Sequence, residues 1–467
     1  MDLIPDEQSQ KYMIDAFIGY NQALDEQLLD PGATHEAQNF VIRDGILRVT
    51  PGNTKYVESQ IPNGIKTLMV FFKNETNGTV TKTLLASSED TIYKLDGQEW
   101  VSVKNGLSNG YFDYINYQHG VTEITIMGNG TDSMFKWDGT TLLKLGGNPP
   151  PMRSISLHYE RVWGTCNKQE PNRVYYSAAL DPENWNFTEN EGGFIDLPTW
   201  DGGICIGLST IFDDVLIFKT YNIWKIVGTY PGEYQKVQVF SSTGAIADRS
   251  IVDAGTVSFF LARDGIYVYD GVQTHYISSP IKKIIDNMNL TYADKAVGVF
   301  YDNRYILAIP EGNSTENNTI IEYDLNTKQF IIKRGFNVNS FVVFNDKLLF
   351  SNNNGYVLEY DKGDTFDGVP IEAYWYTPDT NLGLPSAIKR STVLYCTLNK
   401  IYGDQLRIDG LFDRKSKFAI VELPSNKTDK KIKLRCSGRH MKLKISNING
   451  SRFTLAMPQL YFDIDED

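Results

Sequence analysis

The sequence predicts an all-β protein in which a β-propeller-like domain precedes a C-terminal β-sandwich or jelly-roll-type domain. The 467 residues include 38 Gly, 27 Tyr and 24 Phe, a mixture that favours short aromatic strands joined by tight turns. A hairpin motif recurs at nearly constant spacing along most of the chain. The charge changes sign near Gly368. These observations divide the chain into residues 1–60, 61–368 and 369–467.

Residues 1–60 are predicted to be an N-terminal segment that joins the propeller. The opening MDLIPDEQSQKYM is acidic and polar, without a basic region followed by an apolar one, so it does not resemble a secretory signal. No stretch of the chain approaches the roughly 18–20 apolar residues that a membrane span needs. Part of residues 7–29 is expected to be helical.

Residues 61–368 are predicted to form the propeller because one motif repeats there. Two or three alternating apolar positions are followed by Asp-Gly or a similar turn, and the copies start about 44 residues apart on average. This spacing suits a blade of four short strands, roughly 40–50 residues. The copies are Ile92–Gly97, Met134–Gly139, Arg173–Ala178, Ile223–Gly228, Ile266–Gly271, Ile321–Asn326 and Val357–Lys362.

An apolar strand and a Gly, Asn or Asp turn precede most copies, as in SFFLARDGIYVYDG. Such residues tolerate the positive φ of tight turns, so each copy reads as the second arm of a β-hairpin. A long β-meander, or stacked sandwiches without radial closure, would show the same rhythm. Six, seven and eight blades stay open because the copies are degenerate. The segment Ile281–Met288 is expected to form about two helical turns.

Residues 369–467 are predicted to form the sandwich domain, because strands of five to ten residues alternate there with Gly, Asn, Pro or Lys-rich turns. This part carries 16 Lys/Arg against 11 Asp/Glu, whereas residues 1–368 carry 29 against 46. The change of sign supports a domain boundary near Gly368. The acidic body should not retain nucleic acid nonspecifically, because affinity for phosphates depends on neutralising them with Lys/Arg.

The sequence contains no motif that indicates catalysis. The five histidines are scattered without metal-ligand spacing, the four cysteines lie far apart and read as free thiols, and no GxSxG or phosphate-binding loop occurs. A propeller glycosidase would need paired carboxylates. Asp201, Asp213, Asp214 and Asp264 lie mostly in turn contexts, where aspartate is a turn former. We therefore expect no enzyme, metal or cofactor.

One basic face is the candidate interaction site. Lys431, Lys433 and Arg435 alternate with apolar residues, and after a short turn Lys442 and Lys444 do the same. If the two strands form a hairpin, Lys433 faces Lys442 and Lys431 faces Lys444. Because like charges directly opposite are destabilising, this face is predicted to meet an acidic surface, as a subunit interface. A basic face that is merely solvated is the alternative.

Several segments together resemble a known family. Ala37–Gly52, Leu197–Gly228, Ser242–Gly271 and residues 431–464 are similar, in this order, to segments of phage propeller proteins at the tail-to-portal junction. Thr50 stands where the family pattern often has Arg before Pro-Gly. The resemblance extends along most of the chain and indicates the family of packaged-DNA stabilisation and tail nozzle or hub proteins.

The resemblance implies a structural protein of the virion, made in the host cytoplasm and placed at the head-tail junction. Such proteins form a homo-oligomeric ring, usually a hexamer, below the portal and adaptor, and viral DNA passes through it without sequence-specific binding. They carry no catalytic residues. Ring assembly is heterologous, so an acidic body and a basic domain could supply the two unlike faces.

Three other functions stay open, and one of them is an intracellular scaffold propeller. A carbohydrate- or receptor-binding propeller of a tail fibre or cell surface would present exposed Trp and Tyr clusters at the blade tops. A glycoside hydrolase or lyase would degrade a polysaccharide.

Overall fold

The computed structural model describes residues 10–187, 191–241, 243–413 and 415–465, and β-strands dominate it. Seven short strands precede the first complete blade. They are β1 (Gln10–Met13), β2 (Gly19–Tyr20), β3 (Ala33–Thr34), β4 (Ala37–Gln38), β5 (Phe40–Arg43), β6 (Ile46–Val49) and β7 (Thr54–Val57). Among these, β7 joins the propeller, while β1, β4, β5 and β6 join sheets of the C-terminal region.

Seven four-stranded antiparallel sheets follow, numbered as blades 1 to 7. In blades 1 to 6 the four strands are consecutive in the sequence. Blade 7 consists of β32, β33 and β34 and is completed by β7 from the N-terminal segment. The blade strands are β8 (Thr67–Asn74), β9 (Val80–Ser87), β10 (Ile92–Asp96), β11 (Glu99–Lys104); β12 (Asp113–His119), β13 (Thr122–Gly128), β14 (Phe135–Trp137), β15 (Leu142–Lys144); β16 (Ser154–His158), β17 (Arg161–Thr165), β18 (Arg173–Tyr176), β19 (Gly193–Asp196); β20 (Cys205–Ile211), β21 (Asp214–Lys219), β22 (Ile223–Val227), β23 (Gln235–Gln238); β24 (Val252–Asp253), β25 (Ser258–Leu261), β26 (Ile266–Tyr269), β27 (Thr274–Tyr276); β28 (Val297–Tyr301), β29 (Arg304–Ile309), β30 (Thr319–Asp324), β31 (Phe330–Arg334); and β32 (Ser340–Phe344), β33 (Lys347–Ser351), β34 (Val357–Glu359).

The seven blades close into a ring. The first strand of each blade contacts the first strand of the next, from β8 through β12, β16, β20, β24 and β28 to β32, and β32 contacts β8 again. A closed series of neighbouring first strands is the geometry of a propeller. The predicted propeller is therefore confirmed, and the described residues form seven blades.

The repeated sequence motif is the third strand of every blade. In blade 5, for example, β26 pairs with β25 before it and with β27 after it. Ile266, Tyr267 and Tyr269 on this strand are buried, and the turn that follows contains Gly271 with φ +95°. Only glycine adopts such a backbone readily. The spacing of the motif therefore measures the step from one blade to the next.

The C-terminal region forms two larger sheets. The seven-stranded sheet has the order β41-β38-β44-β6-β5, with β1 added to β44 and β42 to β38, and the five-stranded sheet has the order β4-β37-β43-β39-β40. β35 and β36 form a separate two-stranded ribbon. The strands are β35 (Thr365–Phe366), β36 (Val369–Pro370), β37 (Tyr374–Tyr376), β38 (Ile388–Tyr402), β39 (Gln405–Phe412), β40 (Lys415–Glu422), β41 (Thr428–Lys433), β42 (Ser437–Gly438), β43 (Met441–Asn447) and β44 (Arg452–Asp465).

Both large sheets share one apolar core with the propeller. Leu398 and Leu455 from the seven-stranded sheet and Ile408 and Ile445 from the five-stranded sheet belong to the same buried cluster as Tyr305 of blade 6. Both sheets also contain strands from the N-terminal segment. The sandwich architecture predicted for residues 369–467 stays a prediction.

The N-terminal segment attaches the two sheets to blade 6. β2, β4 and β5 contact β31, the outermost strand of that blade. The side-chain amide of Asn39 donates hydrogen bonds to the carbonyl oxygens of Arg334 and Glu372, at 2.9 and 2.7 Å. One side chain therefore joins the propeller to the C-terminal region.

A buried ionic cluster joins blade 6 to the end of blade 7. The carboxylate of Glu322 on β30 accepts hydrogen bonds from Arg304 on β29 at 2.7 Å and from the Tyr360 hydroxyl at 2.6 Å. Lys333 on β31 pairs with Glu322 and with Asp361, the latter at 2.6 Å. Because Asp361 and Tyr360 follow β34, these contacts hold the last blade against blade 6.

Helical structure is scarce in the described residues. A five-residue α-helix, Lys282–Asp286, lies within the predicted segment Ile281–Met288. Short 3-10 turns occur at Glu26–Leu28, Pro231–Glu233, Asp248–Ser250, Ser279–Ile281 and Ala293–Lys295. No helix in the described ranges is long and apolar enough to cross a membrane.

Candidate functional site

The predicted basic hairpin is wrong. Lys431 and Lys433 lie on β41, which pairs with β38 at the edge of the seven-stranded sheet. Lys442 and Lys444 lie on β43, which pairs with β37 and β39 in the five-stranded sheet. The alternation of charged and apolar residues is real, but residues 434–440 are not a tight turn, because β42 within them pairs with β38. Lys431 and Lys433 therefore lie on one sheet and Lys442 and Lys444 on the other, while Arg435 lies in the short segment between β41 and β42.

Three of the predicted cations are exposed at the edge of the seven-stranded sheet. Lys431, Lys433 and Arg435 point outward, while Ile432 and Leu434 between them are buried in the common core. The ammonium group of Lys431 lies 5.9 Å from the ring centre of Tyr395. Edge strands that carry lysines resist unwanted strand pairing. A protective role thus competes with the predicted interface role on this sheet.

The other two cations lie among aromatic rings. Lys444 Nζ lies 5.2 Å from the ring centre of Tyr374 and 5.0 Å from that of Tyr376, and Lys442 Nζ lies 5.2 Å from that of Tyr376. Lys442 also donates to Glu26 at 2.8 Å. Burial opposes ionisation of Glu26, but the hydrogen bonds from Lys442 and from the backbone N–H of Asp379, together with the nearby positive charge, outweigh burial and lower the pKa of this carboxyl. Cation–π contacts of this kind hold the lysines in place.

The same face of the five-stranded sheet continues across β39 and β40. Asp409 is in register with both Lys444 and Phe418, and its carboxylate accepts hydrogen bonds from Arg407 at 2.6 to 3.0 Å. Arg407 also lies 4.2 Å from the ring centre of Phe418, and Phe418 and Ile420 are more than half exposed. Exposed aromatic, apolar and arginine side chains together are typical of protein interfaces. We call this surface, formed by Tyr374, Tyr376, Arg407, Phe418, Ile420, Lys442 and Lys444, the aromatic-basic face.

A second group of exposed apolar side chains lies on the propeller. Of the 30 exposed large hydrophobic side chains among the described residues, 12 fall within residues 157–240, which span blades 3 and 4. On the outermost strands and the turns beside them, Phe187 packs against Phe194 with ring centres 5.6 Å apart, and Tyr230 and Val237 are exposed. We call these four residues the blade 3–4 rim. Clustered apolar exposure of this kind marks interaction sites.

The upper end of the propeller axis is spanned by Arg249. The upper face is defined here as the side on which the chain enters the first strand of each blade. From the 3-10 turn Asp248–Ser250, the Arg249 guanidinium donates hydrogen bonds to the carbonyl oxygens of Lys66, Asn339 and Lys295, at 3.2, 2.9 and 3.4 Å. These carbonyls precede blades 1, 7 and 6. The space along the axis below is 300 Å³.

Asp113 lines this axial space. Its carboxylate accepts hydrogen bonds from the backbone N–H groups of Tyr114 and Ile155, at 2.9 and 2.8 Å. Burial, with a smaller contribution from nearby Asp248, raises the pKa of Asp113 to about 7. Because the two backbone donors stabilise the ionised form, they limit this increase.

The single aspartates noted in the sequence have structural partners. Asp201 binds the buried Lys219 ammonium at 2.9 Å, and although burial opposes ionisation of Asp201, this contact lowers the pKa of its carboxyl. Asp213 accepts from the Tyr159 hydroxyl and Asp264 from the Tyr267 hydroxyl, both at 2.8 Å. Asp214 pairs with Lys225 at 2.7 Å. Within the described ranges, no three His, Cys, Asp or Glu side chains are grouped so that they could hold a metal ion.

Sequence reasoning missed the bridge across the axis, the aromatic part of the basic face and the blade 3–4 rim. Residues 239–251 form a long link between two blades, and that length was the available signal for an inserted element such as Arg249. The rim could not be found from periodicity, because outermost strands lack the strict burial of inner strands.

Comparisons with known proteins bear on the fold alone. No known protein family and no curated protein sequence matches this chain. The chain is similar to the WD40 domain of Neurospora crassa Pan2, at 11% identity and a TM-score of 0.41, over 73% of this chain and 99% of that one. It is also similar to BBS1N in complex with ARL6DN, soaked with mercury, at 10% identity and a TM-score of 0.43, over 67% and 96%. These likenesses are too distant to support any functional statement.

Proposed function

We propose that this protein is a structural component of a tailed phage virion, which forms a ring below the portal and adaptor, retains packaged DNA and provides the path for its ejection. The observation that carries this proposal is a pair of unlike, complementary surfaces at distant ends of one subunit. These surfaces are the aromatic-basic face and the blade 3–4 rim. A subunit with such a pair can assemble head to tail.

The two surfaces lie far apart because of where the C-terminal region is attached. The N-terminal segment fixes this region to β31 of blade 6. In a ring of seven blades, blade 3 is three steps from blade 6, which is as far as the ring allows, and blade 4 is two steps from it. A contact between the two surfaces within one chain is thus disfavoured. We expect each surface to contact the other surface of a neighbouring copy.

The charges of the two parts are opposite. Residues 369–467 carry 16 Lys/Arg against 11 Asp/Glu, and residues 157–240 carry 6 against 11. Complementary charge steers association and fixes register. Exposed rings on both sides supply the apolar area that long-lived association requires. A second copy of this chain is therefore the partner that fits each surface.

The proposed DNA path lies between subunits and not along the propeller's own axis. Arg249 ties three blades together across the upper end of that axis, and the axial space of 300 Å³ is closely lined by side chains. A double helix, whose major groove alone is about 12 Å wide, does not fit there. The acidic propeller surface would line the path without gripping phosphates.

Ring formation tests the proposal directly. Purified protein is examined by mass photometry at increasing concentration and by negative-stain imaging. We expect a closed ring of identical subunits with an axial hole. A protein that stays monomeric throughout the concentration series, or that forms only open chains, would contradict the proposed function.

One observation favours a second candidate, the carbohydrate- or receptor-binding propeller. Trp200 and Tyr221, which are 74% and 59% exposed, lie on two upper-face loops that flank blade 4 strands. Exposed aromatic rings of this kind can stack on sugar rings. Screening against a polysaccharide panel distinguishes the two functions, because a nozzle protein is expected to bind none of the glycans. If the protein is a glycan receptor, it should bind at least one of them, and Trp200→Ala and Tyr221→Ala should weaken that binding.

A further inference from the structure

A cavity of 530 Å³ opens on the upper face beside the axis. Loops that precede the first strands of several blades surround it, and the Asp248–Arg249 turn forms part of its wall. Its volume lies within the roughly 300–1,000 Å³ of typical ligand sites. It is separate from the aromatic-basic face and from the blade 3–4 rim, so neither surface of the proposed ring interface explains it.

Positive charge is in excess in this cavity. Four cations line it, Arg153, Lys168, Arg249 and Lys295, against the two carboxylates Asp248 and Asp294. An Asp248 carboxylate oxygen lies 2.8 Å from Arg153 Nε, so this ion pair neutralises the charge of Arg153. In a body whose first 368 residues carry 29 Lys/Arg against 46 Asp/Glu, a cationic cavity is a local exception.

The other three cations are held by neutral groups. Lys168 donates to the Thr131 hydroxyl at 3.0 Å, Lys295 donates to the Thr315 carbonyl at 2.9 Å, and Arg249 donates to backbone carbonyls. Within the part of the chain that the structure describes, none of the three has a carboxylate oxygen within 4.0 Å. Their positions are thus fixed while their charges stay available to a ligand.

One wall of the cavity is apolar. Pro171, Ile204 and Ile206 line it, and Ile204 is 46% exposed. An inorganic anion would neutralise the cations but would leave this wall in contact with water. A ligand that places a carboxylate beside an apolar group satisfies both sides of the cavity.

We propose that this cavity binds a short acidic peptide segment of a partner protein, with its Asp or Glu carboxylates at Lys168, Lys295 and Arg249 and an adjacent apolar side chain against Pro171, Ile204 and Ile206. Nucleic acid fits less well. The opening is a compact recess and not a groove that follows a backbone.

A binding titration tests the proposal on the intact protein. The probe is a fluorescein-labelled peptide of alternating glutamate and leucine, followed by fluorescence anisotropy. We expect saturable binding that weakens as salt is added. The affinity for the peptide should fall roughly tenfold or more in the double variant Lys168→Glu/Lys295→Glu. The matched control is Lys144→Glu/Lys328→Glu, two exposed lysines outside the cavity that undergo the same change of charge. This control should bind like the unaltered protein.

The other outcomes overturn the inference. Absence of saturable binding, or equal loss in the control variant, would show that the cavity does not recognise the peptide. Inorganic phosphate and unlabelled glutamate-leucine peptide can each be tested as competitors of the labelled peptide. If phosphate displaces the labelled peptide at the same concentration as the unlabelled peptide does, the cavity is a site for free anions. Tighter binding of a single-stranded oligonucleotide would show a nucleic-acid site. An Ile204→Asp variant that keeps full affinity would contradict the role of the apolar wall.

Discussion

The carboxylate of Glu322 is fully buried among Arg304, Lys333 and Tyr360, where blade 6 meets the end of blade 7. Replacing it with glutamine leaves two buried cations that share the carboxylate of Asp361, with the more exposed Asp302 3.5 Å from Arg304. Removing one partner from a buried charge pair costs about 3–5 kcal/mol. We therefore expect Glu322→Gln to reduce the free energy of unfolding by about 3 kcal/mol, measured by chemical denaturation.

The exposed ion pair between Lys282 and Asp286 is the control for this measurement. Asp286→Asn should change stability by less than about 1 kcal/mol, because surface pairs are screened by water. Equal effects of the two substitutions would show that the buried cluster is not what holds blades 6 and 7 together.

Asp113 gives a pH-dependent prediction. Burial raises the pKa of its carboxyl from 3.8 to about 7, so the folded state binds this proton more tightly than the unfolded state does. The contribution of Asp113 to stability therefore falls as pH rises from about 4 to about 7 and is constant above that range. Relative to the unaltered protein, Asp113→Asn should gain about 4 kcal/mol between these limits, since each unit of pKa difference corresponds to about 1.4 kcal/mol. Thermal unfolding across this pH range measures the difference.

An exposed aspartate provides the comparison. Asp96 is exposed beside a turn of blade 1. The stability of the Asp96→Asn variant should depend on pH in the same way as that of the unaltered protein. If Asp113→Asn also follows that profile, the axial carboxyl is not the group that titrates.

At the scale of elements, the third strands were the most predictable part of the fold. Each places apolar residues between two partner strands, and most end at a turn that contains Gly or Asp, so burial and turn chemistry select the same residues. The short first and last strands left a weaker trace. In blade 5 the first strand, Val252–Asp253, has two residues and is half exposed, and no period can be read from so short a segment.

Strand β7 gives a prediction about closure of the ring. Val57 is fully buried and pairs with Val357, which joins the first part of the chain to the last blade. Val57→Asp places a carboxylate in an apolar site, so we expect a loss of about 3 kcal/mol or more in the free energy of unfolding. Limited proteolysis should also cut faster near residues 50–60, because β7 detaches.

Thr54→Asp on the same strand is the matched variant, since Thr54 is half-buried and pairs with Glu359 at the strand end. The free energy of unfolding of this variant should lie within about 1 kcal/mol of that of the unaltered protein. A similar loss in both variants would indicate general damage to β7 and not burial at the closure.

The basic hairpin failed as a prediction for a reason that also lies at the scale of elements. Two adjacent strands with alternating charge usually pair with each other, but here β42 intervenes and β38 takes up β41. β43 pairs with β37 and β39 instead. Local alternation predicts which side chains face outward, whereas the choice of partner depends on strands distant in the sequence.

At the scale of the whole molecule, the separation of surfaces predicts a charge-dependent assembly. If the aromatic-basic face meets the blade 3–4 rim of the next copy, Lys442→Glu/Lys444→Glu should prevent ring formation in mass photometry and leave a folded monomer. The same reversal at Lys431 and Lys433, on the other sheet, is the comparison and should leave rings intact. Rings that form normally from the Lys442/Lys444 variant would remove this face from the interface.

The sequence predicted a propeller and a second β-rich region, and it could not predict how the two are joined. The join depends on Asn39 and on β2, β4 and β5 against blade 6, which are short segments without periodicity. The two surfaces of the proposed interface were missed in part for the same reason. A sheet face gathers residues such as Arg407 and Tyr376 from separate strands, and their proximity exists only after folding.

The pairing of β1 with β44 orders the events of synthesis. Gln10–Met13 are translated well before their partner strand, Arg452–Asp465, because the propeller and most of the C-terminal region lie between the two strands in the sequence. Until then the early strands of the seven-stranded sheet have unpaired backbone groups. In the same way, β7 has no partner in blade 7 until Val357–Glu359 has been translated. Contacts between such distant segments slow folding. Nascent chains are therefore expected to depend on protection of these open edges until both partner strands have been translated.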